Sequence, residues 1–209
     1  MMPKKLKSKT YLLPMKKILF LACCVCLLSL QADDVSPEFK RLLTRAGMQF
    51  ELPTGLKIIP CQENEQQNYD LALAANGIEF RYAIRPLDDA LFDYQQWKLN
   101  PPSGSITIDP NNLSWALFKT TLLNISGGKS DKFQAFNPKD VKEEFYADWG
   151  ATAFIPVRGD FAGKHKVCIA ITLFRKNKAN AYIFILGSSA KKVQKHMMKG
   201  FYALKFREI

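Results

Sequence analysis

The clearest pattern along the chain is a two-residue alternation. Ile78, Phe80, Tyr82 and Ile84 alternate with Glu79, Arg81, Ala83 and Arg85, which predicts a strand with one buried face and one wetted face. Residues 69–75 form a matching strand before it. Asn76-Gly77 between them is the favoured pair for a two-residue hairpin turn. Two later runs, 167–174 and 181–186, are apolar at nearly every position and are joined by a polar linker. They predict a second hairpin that is covered on both faces.

Helical signals surround these strands. Ser36 followed by Pro37 predicts an N-cap and a first helical position, with a short helix to about residue 45 ended by Gly47. A strand over 48–52, the turn residues Pro53-Thr54-Gly55 and a returning strand over 56–59 come next. Residues 61–68 are polar and predict a loop, 87–97 a helix, and 101–110 a second loop after Pro101-Pro102-Ser103-Gly104. Asn112 is placed to cap a helix reaching about residue 126, stopped by Gly127-Gly128. Trp115, Phe118, Leu122 and Ile125 would form its buried seam. Pro138 starts a helix through 147, a strand covers 151–156, Ser189 caps a last helix to about 200, and 201–206 closes as a strand. Mixed order with mostly antiparallel neighbours predicts an α+β fold. Two-sided burial of the second hairpin predicts a three-layer α/β/α sandwich around a mostly antiparallel sheet.

The N-terminus has its own pattern. Lys16 and Lys17 precede an apolar run over 18–30, followed by Gln31, Ala32, Asp33 and Asp34. A basic start, an apolar stretch and a small residue at the cut are the features of a secretory signal peptide, and the stretch is too short to span a bilayer comfortably. Cleavage is expected after Ala32, although Leu30 at the −3 position is larger than ideal. Met15-Lys16-Lys17 alone makes a complete basic region, so Met15 is an alternative start and 1–14 an upstream extension. The rival is a lipoprotein, since Leu21-Ala22-Cys23-Cys24 resembles a lipobox. There, however, Phe20 stands where Leu is wanted, and Cys24 follows Cys23 rather than a small residue. The expected organisation is a signal peptide over 1–32 and one α+β domain over 33–209, exported to the periplasm or beyond.

Charge changes the picture once it is divided. The 209 residues carry a net +11, but six lysines and no acid fall within 1–32, leaving +5 for the rest. No nucleic-acid partner is therefore expected. The rest is itself polarised, with −5 over 33–157 and +10 over 158–209. On the last helix Lys191, Lys192, Lys195 and Lys199 fall within about 100° of one another, opposite Ala190, Val193, Met197 and Phe201. Two of these lysines occupy the first turn, where the helix dipole disfavours cations. They are a candidate basic binding face for an acidic protein, anionic lipid head groups or a polyanionic wall polymer. The plain alternative is a solvated face that keeps the protein soluble. The acidic half is a further alternative partner, within the fold or across a homo-oligomer.

Reactive chemistry is sparse. Three of the five cysteines precede residue 32; Cys61 and Cys168 remain, a candidate disulfide in an oxidising compartment. Inside its apolar run Cys168 also reads as a small buried hydrophobe. The only histidines are His165, read as a strand-end surface residue, and His196, read as a boundary residue. Asp88-Asp89 and Glu143-Glu144 point apart on a helix and read as solvated or N-terminal charge. No serine elbow, zinc spacing, calcium loop or phosphate loop occurs, so no cofactor, metal or catalytic residue is expected.

Phe50-Glu51-Leu52-Pro53-Thr54-Gly55-Leu56 opening a hairpin, followed by antiparallel pairs and a terminal helix and strand, resembles the PsbP-like superfamily. Tyr146-Ala147-Asp148-Trp149-Gly150-Ala151-Thr152-Ala153-Phe154 resembles exported bacterial proteins with that fold. The resemblance covers roughly residues 45–207. It implies a PsbP-like fold and a role in binding or assisting other proteins, with no shared catalytic site and no functional residue carried over. The function expected is an exported, non-enzymatic envelope accessory or binding protein, its partner an unknown protein or an anionic envelope component. Peripheral membrane contact and oligomer formation stay open. The alternative is an envelope hydrolase, which would need His165 or a carboxylate to meet a Ser, Thr or Tyr in a cleft.

Overall fold

The computed structural model describes residues 35–208; the expected signal peptide lies outside the described residues. Helix α1 (Pro37–Ala46) begins as its sequence requires. The Ser36 side chain accepts a hydrogen bond from the Phe39 N–H at 3.1 Å, Pro37 fills the first turn, and Gly47 closes the helix in the left-handed conformation. Strands β1 (Met48–Phe50), β2 (Lys57–Ile59), β3 (Leu71–Ala75) and β4 (Ile78–Pro86) follow. Asn76 and Gly77 both have positive φ, so the β3–β4 hairpin turns as expected, with Ala75 opposite Ile78.

The chain continues through α2 (Asp88–Leu99), a 3₁₀ turn over Pro110–Asn112, α3 (Ser114–Ser126), β5 (Gln134–Ala135), α4 (Pro138–Phe145) and β6 (Trp149–Pro156). It ends with α5 (Gly159–Ala162), β7 (Val167–Arg175), β8 (Ala179–Gly187), α6 (Ala190–His196), α7 (Met198–Phe201) and β9 (Leu204–Phe206). The fold is α+β. Among the described residues, seven strands form one sheet in the order β2-β3-β4-β8-β7-β6-β5, every neighbouring pair antiparallel. The two hairpins meet along β4 and β8, from Ile78 opposite Gly187 to Pro86 opposite Ala179.

Alternate residues of the central strands divide between two hydrophobic clusters. Phe80, Tyr82, Ile84, Ile171, Ile183 and Ile185 belong to the first, with Phe39 and Leu43 of α1, Phe145 of α4 and Val193 of α6. Ala83, Ala170, Tyr182, Phe184 and Leu186 belong to the second, with Phe118, Leu122 and Ile125 of α3 and Phe161 of α5. Each β8 position is buried, which is why its sequence carries no alternation.

Four expectations fail. Strand β1 does not return into β2; it pairs with β9 as a separate two-stranded ribbon, Met48 opposite Phe206, which buries Met48, Leu204 and Phe206 in the first cluster. Asn112 does not cap α3. It lies in the preceding 3₁₀ turn, which Asp109 caps by accepting from the Asn111 N–H at 2.9 Å. Trp115 leaves the α3 seam and stands 55% exposed, its ring edge-on to Phe133 at 6.0 Å. The expected wet face of β4 is wet only at its ends, because Arg81 and Ala83 are buried beneath Phe161 and its neighbours while Arg85 stays part-exposed.

Candidate functional site

Polar groups gather where the β3–β4 turn, the segment 163–166 and the edge strand β2 converge. Arg81 projects from β4 and is 2% exposed. Its guanidinium lies between the rings of Tyr69 and Phe161, 4.6 and 4.8 Å from their centroids. Its Nε donates to Glu79 Oε1 at 2.6 Å and its Nη1 to the Phe161 carbonyl at 2.5 Å. The second Glu79 oxygen lies 3.1 Å from His165 Nε2. Burial pushes the Glu79 carboxyl up, but the hydrogen bonds from His165 and Arg81 outweigh it and hold the carboxyl down at about 2.

The polar loop 61–68 supports this cluster. Asn64 Oδ1 accepts from the Gln66 and Gln67 N–H groups, and Gln66 Oε1 accepts from the Phe161 N–H at 2.9 Å. Tyr69 is tied back in turn, its hydroxyl accepting from the Gln62 N–H at 2.9 Å. The loop thereby holds both the α5 turn and one of the rings on Arg81.

His165 is 6% exposed, which corrects its reading as a surface residue. Gly163 turns the chain with φ of 50°, and the His165 N–H then donates to the Ala162 carbonyl at 2.8 Å, folding the ring under the segment toward Glu79. The carboxylate fixes a proton on Nε2. Nδ1 makes no hydrogen bond to any described residue. A cavity of about 380 Å³ opens beside this ring, lined also by Lys57, Ile59, Ala74, Gly77 and Lys164. Among the described residues, no Ser, Thr or Tyr lines it.

One residue of the expected basic face, Lys192, borders this cavity. Lys191, Lys195 and Lys199 are exposed, and Lys192 is half-buried. None of the four has a described carboxylate in ion-pairing reach. The opposite stripe packs inward as expected, Val193 fully and Met197 and Phe201 in part. The helix is not continuous, since α6 ends at His196 and α7 begins at Met198. Lys192 departs from the row: its ammonium fills the space that a Cβ on Gly77 would take, above the turn that borders the cavity.

The remaining candidates separate. Cys61 and Cys168 are both free thiols, so the expected bridge is not formed. Cys61 follows the edge strand β2, while Cys168 lies in β7, with β3, β4 and β8 between them. At about 4.8 Å per strand, that separation is far beyond disulfide reach. Burial pushes the Cys168 thiol up to about 12 and raises the Cys61 thiol as well, so both stay protonated near neutral pH. Asp88 and Asp89 jointly clamp Arg45 of α1, with contacts of 2.6–2.8 Å. Glu144 accepts from the Tyr202 hydroxyl at 2.9 Å, which raises that phenol, and both side chains line a cavity of about 170 Å³.

Among the described residues, no three His, Cys, Asp or Glu side chains stand together to hold a metal, and no helix is long and apolar enough to cross a membrane. No protein-family model matches the chain, and no curated protein matches it.

The network was not legible beforehand. Glu79 and Arg81 looked like ordinary polar positions of a half-wet strand, and nothing local linked them to Phe161, 80 residues away from Arg81.

Proposed function

We propose that the protein is an exported, non-enzymatic accessory protein of the cell envelope that binds an anionic envelope component through the lysine row of α6 and α7. One observation carries the reading: Lys191, Lys195 and Lys199 stand exposed with no described carboxylate to neutralise them. The buried charges, by contrast, are fully engaged with one another. Export rests on the signal-like residues 16–32. A three-layer α/β/α arrangement of the PsbP-like kind is the architecture we infer. The two clusters support it, one holding residues of α1, α4 and α6, the other residues of α3 and α5.

The hydrolase reading has less support. His165 is oriented by a carboxylate, but no hydroxyl or thiol meets its free nitrogen. Glu144 and Tyr202 do meet at 2.9 Å on the wall of a cavity of about 170 Å³, but among the described residues no Lys, Arg or His lines it to stabilise a developing oxyanion.

The test is co-sedimentation with vesicles rich in phosphatidylglycerol. Binding should weaken steeply as salt shortens the screening length from about 10 Å at 0.1 M towards 3 Å at 1 M. Charge reversal at Lys191, Lys195 and Lys199 should abolish it. A triple variant that binds as well as the parent would remove the helix face from the account. Export is tested separately by the mass of the protein recovered from the envelope fraction, expected to begin at Asp33.

A further inference from the structure

We infer a second binding site, for a small hydroxylated anion, in the cavity between β2, the β3–β4 turn and the segment 163–166. Three features define its chemistry. First, its rim is cationic: Lys57 and Lys164 line it and have no described carboxylate in reach, and the Lys192 ammonium sits over Gly77 at its border. Second, the one carboxylate in the wall, Glu79, is spent. Arg81 takes one oxygen and His165 the other, so it does not neutralise the lysines. Third, His165 is nearly buried, its Nε2 proton is committed to Glu79, and its Nδ1 has no partner among the described residues.

With Nε2 protonated, Nδ1 of the neutral ring accepts a hydrogen bond from a ligand hydroxyl; in the charged ring it donates to an oxyanion. Ile59, Ala74 and Ala75 supply an apolar wall. The volume of about 380 Å³ lies at the small end of metabolite pockets, which run from roughly 300 to 1,000 Å³. The ligand chemistry is therefore an anionic group for the lysines, with a hydroxyl beside it for His165. Sugar phosphates and hydroxy acids share that chemistry.

The site is separate from the vesicle-binding face and stands or falls without it. Calorimetric titration of the purified protein with glucose 6-phosphate, malate and glucose distinguishes the two anion sources from a neutral control. At least one anion is expected to bind and glucose is not. The ligand is also expected to move the ¹⁵N resonance of His165 Nδ1 and leave that of His196 in place. The double variant Lys57→Ala/Lys164→Ala removes two exposed side chains and should weaken binding about tenfold or more. Charge reversal at Lys191, Lys195 and Lys199 should leave it within about twofold. The inference is overturned if neither anion binds, if glucose binds equally well, or if the double variant binds like the parent. A parent protein that binds the anion but does not bind vesicles at any salt would refute only the helix-face reading.

Discussion

Two groups of positive charge in this molecule obey opposite rules. Arg81 is sealed in the sheet, and the fold supplies two aromatic faces, a carboxylate and a carbonyl for its guanidinium. Lys191, Lys195 and Lys199 of α6 and α7 are left to water, and their ammonium groups have no ion-pairing carboxylate among the described residues. The difference follows from solvation. An unpaired charge in the interior costs several kcal/mol, so its partners come with it, whereas an unpaired charge at the surface costs almost nothing. Engaged charges hold the structure; unengaged ones are free to hold something else.

The strongest way to break this comparison is at Arg81. Arg81→Ala leaves Glu79 buried beside His165 without its main counter-charge and opens a gap between Tyr69 and Phe161. Breaking a buried pair in this way costs roughly 3–5 kcal/mol. Urea unfolding should show the loss as a lower midpoint with little change in slope. A loss below about 1 kcal/mol would place Arg81 in the same class as the surface lysines.

A second break lies where the lysine helices dock on the sheet. A Cβ on Gly200 would meet Phe80 Cδ1 at 2.5 Å and the Tyr82 hydroxyl at 2.6 Å. That hydroxyl also donates to the Gly200 carbonyl at 3.0 Å. Both rings are fully buried. Gly200→Ala should cost about 3 kcal/mol, near the upper end for overpacking. It should also weaken vesicle binding without removing a lysine, because it displaces the segment that presents the row. Unchanged stability would mean that α7 is loosely held.

Much of this fold was legible because its signals are local. Ser36-Pro37, Asn76-Gly77 and the two continuous apolar runs each specify a cap, a turn or a doubly buried strand within a few residues. The failures are non-local. The turn residues Pro53-Thr54-Gly55 fit a hairpin, yet β1 finds its partner at the far end of the chain, where Leu204 and Phe206 complete the first cluster. Alternation in β4 revealed two faces, but Phe161 and Tyr69 decide that the polar one is covered. His165 had no telling neighbours in sequence; Glu79, 86 residues away, gives it a role. The lysine row was readable from helical spacing alone, but the departure of Lys192 toward Gly77 was not.

Acid sharpens the comparison from the other side. The Glu79 carboxyl titrates at about 2 in the fold, below its ordinary value of 4.5. A depressed carboxyl contributes stability that is complete above the unfolded value and lost as pH falls through the folded one. The loss should therefore run from about pH 4.5 down to about pH 2, and amount to about 2 kcal/mol after allowance for solvent screening. Unfolding free energy measured against pH should show this slope, and Glu79→Gln should flatten it while lowering stability at neutral pH. A slope unaltered by the substitution would assign the acid sensitivity to other carboxyls.

The smallest expected effect is the most discriminating. Lys191→Ala, Lys195→Ala and Lys199→Ala should each change stability by less than about 0.5 kcal/mol, because no ion pair is lost and no cavity is made. Their effect should appear in binding, as a shallower salt dependence of vesicle association with each charge removed. Lys192→Ala is the internal control. Its ammonium is folded over the β3–β4 turn, so its removal should alter vesicle binding less than loss of a lysine from the exposed row. If all four substitutions reduce vesicle binding equally, the row acts only as summed charge and the placement of Lys192 carries no meaning. If the three exposed lysines instead prove to be the destabilising ones, their stems are packing against the helix, and the division between structural and available charge fails at the point where it was drawn.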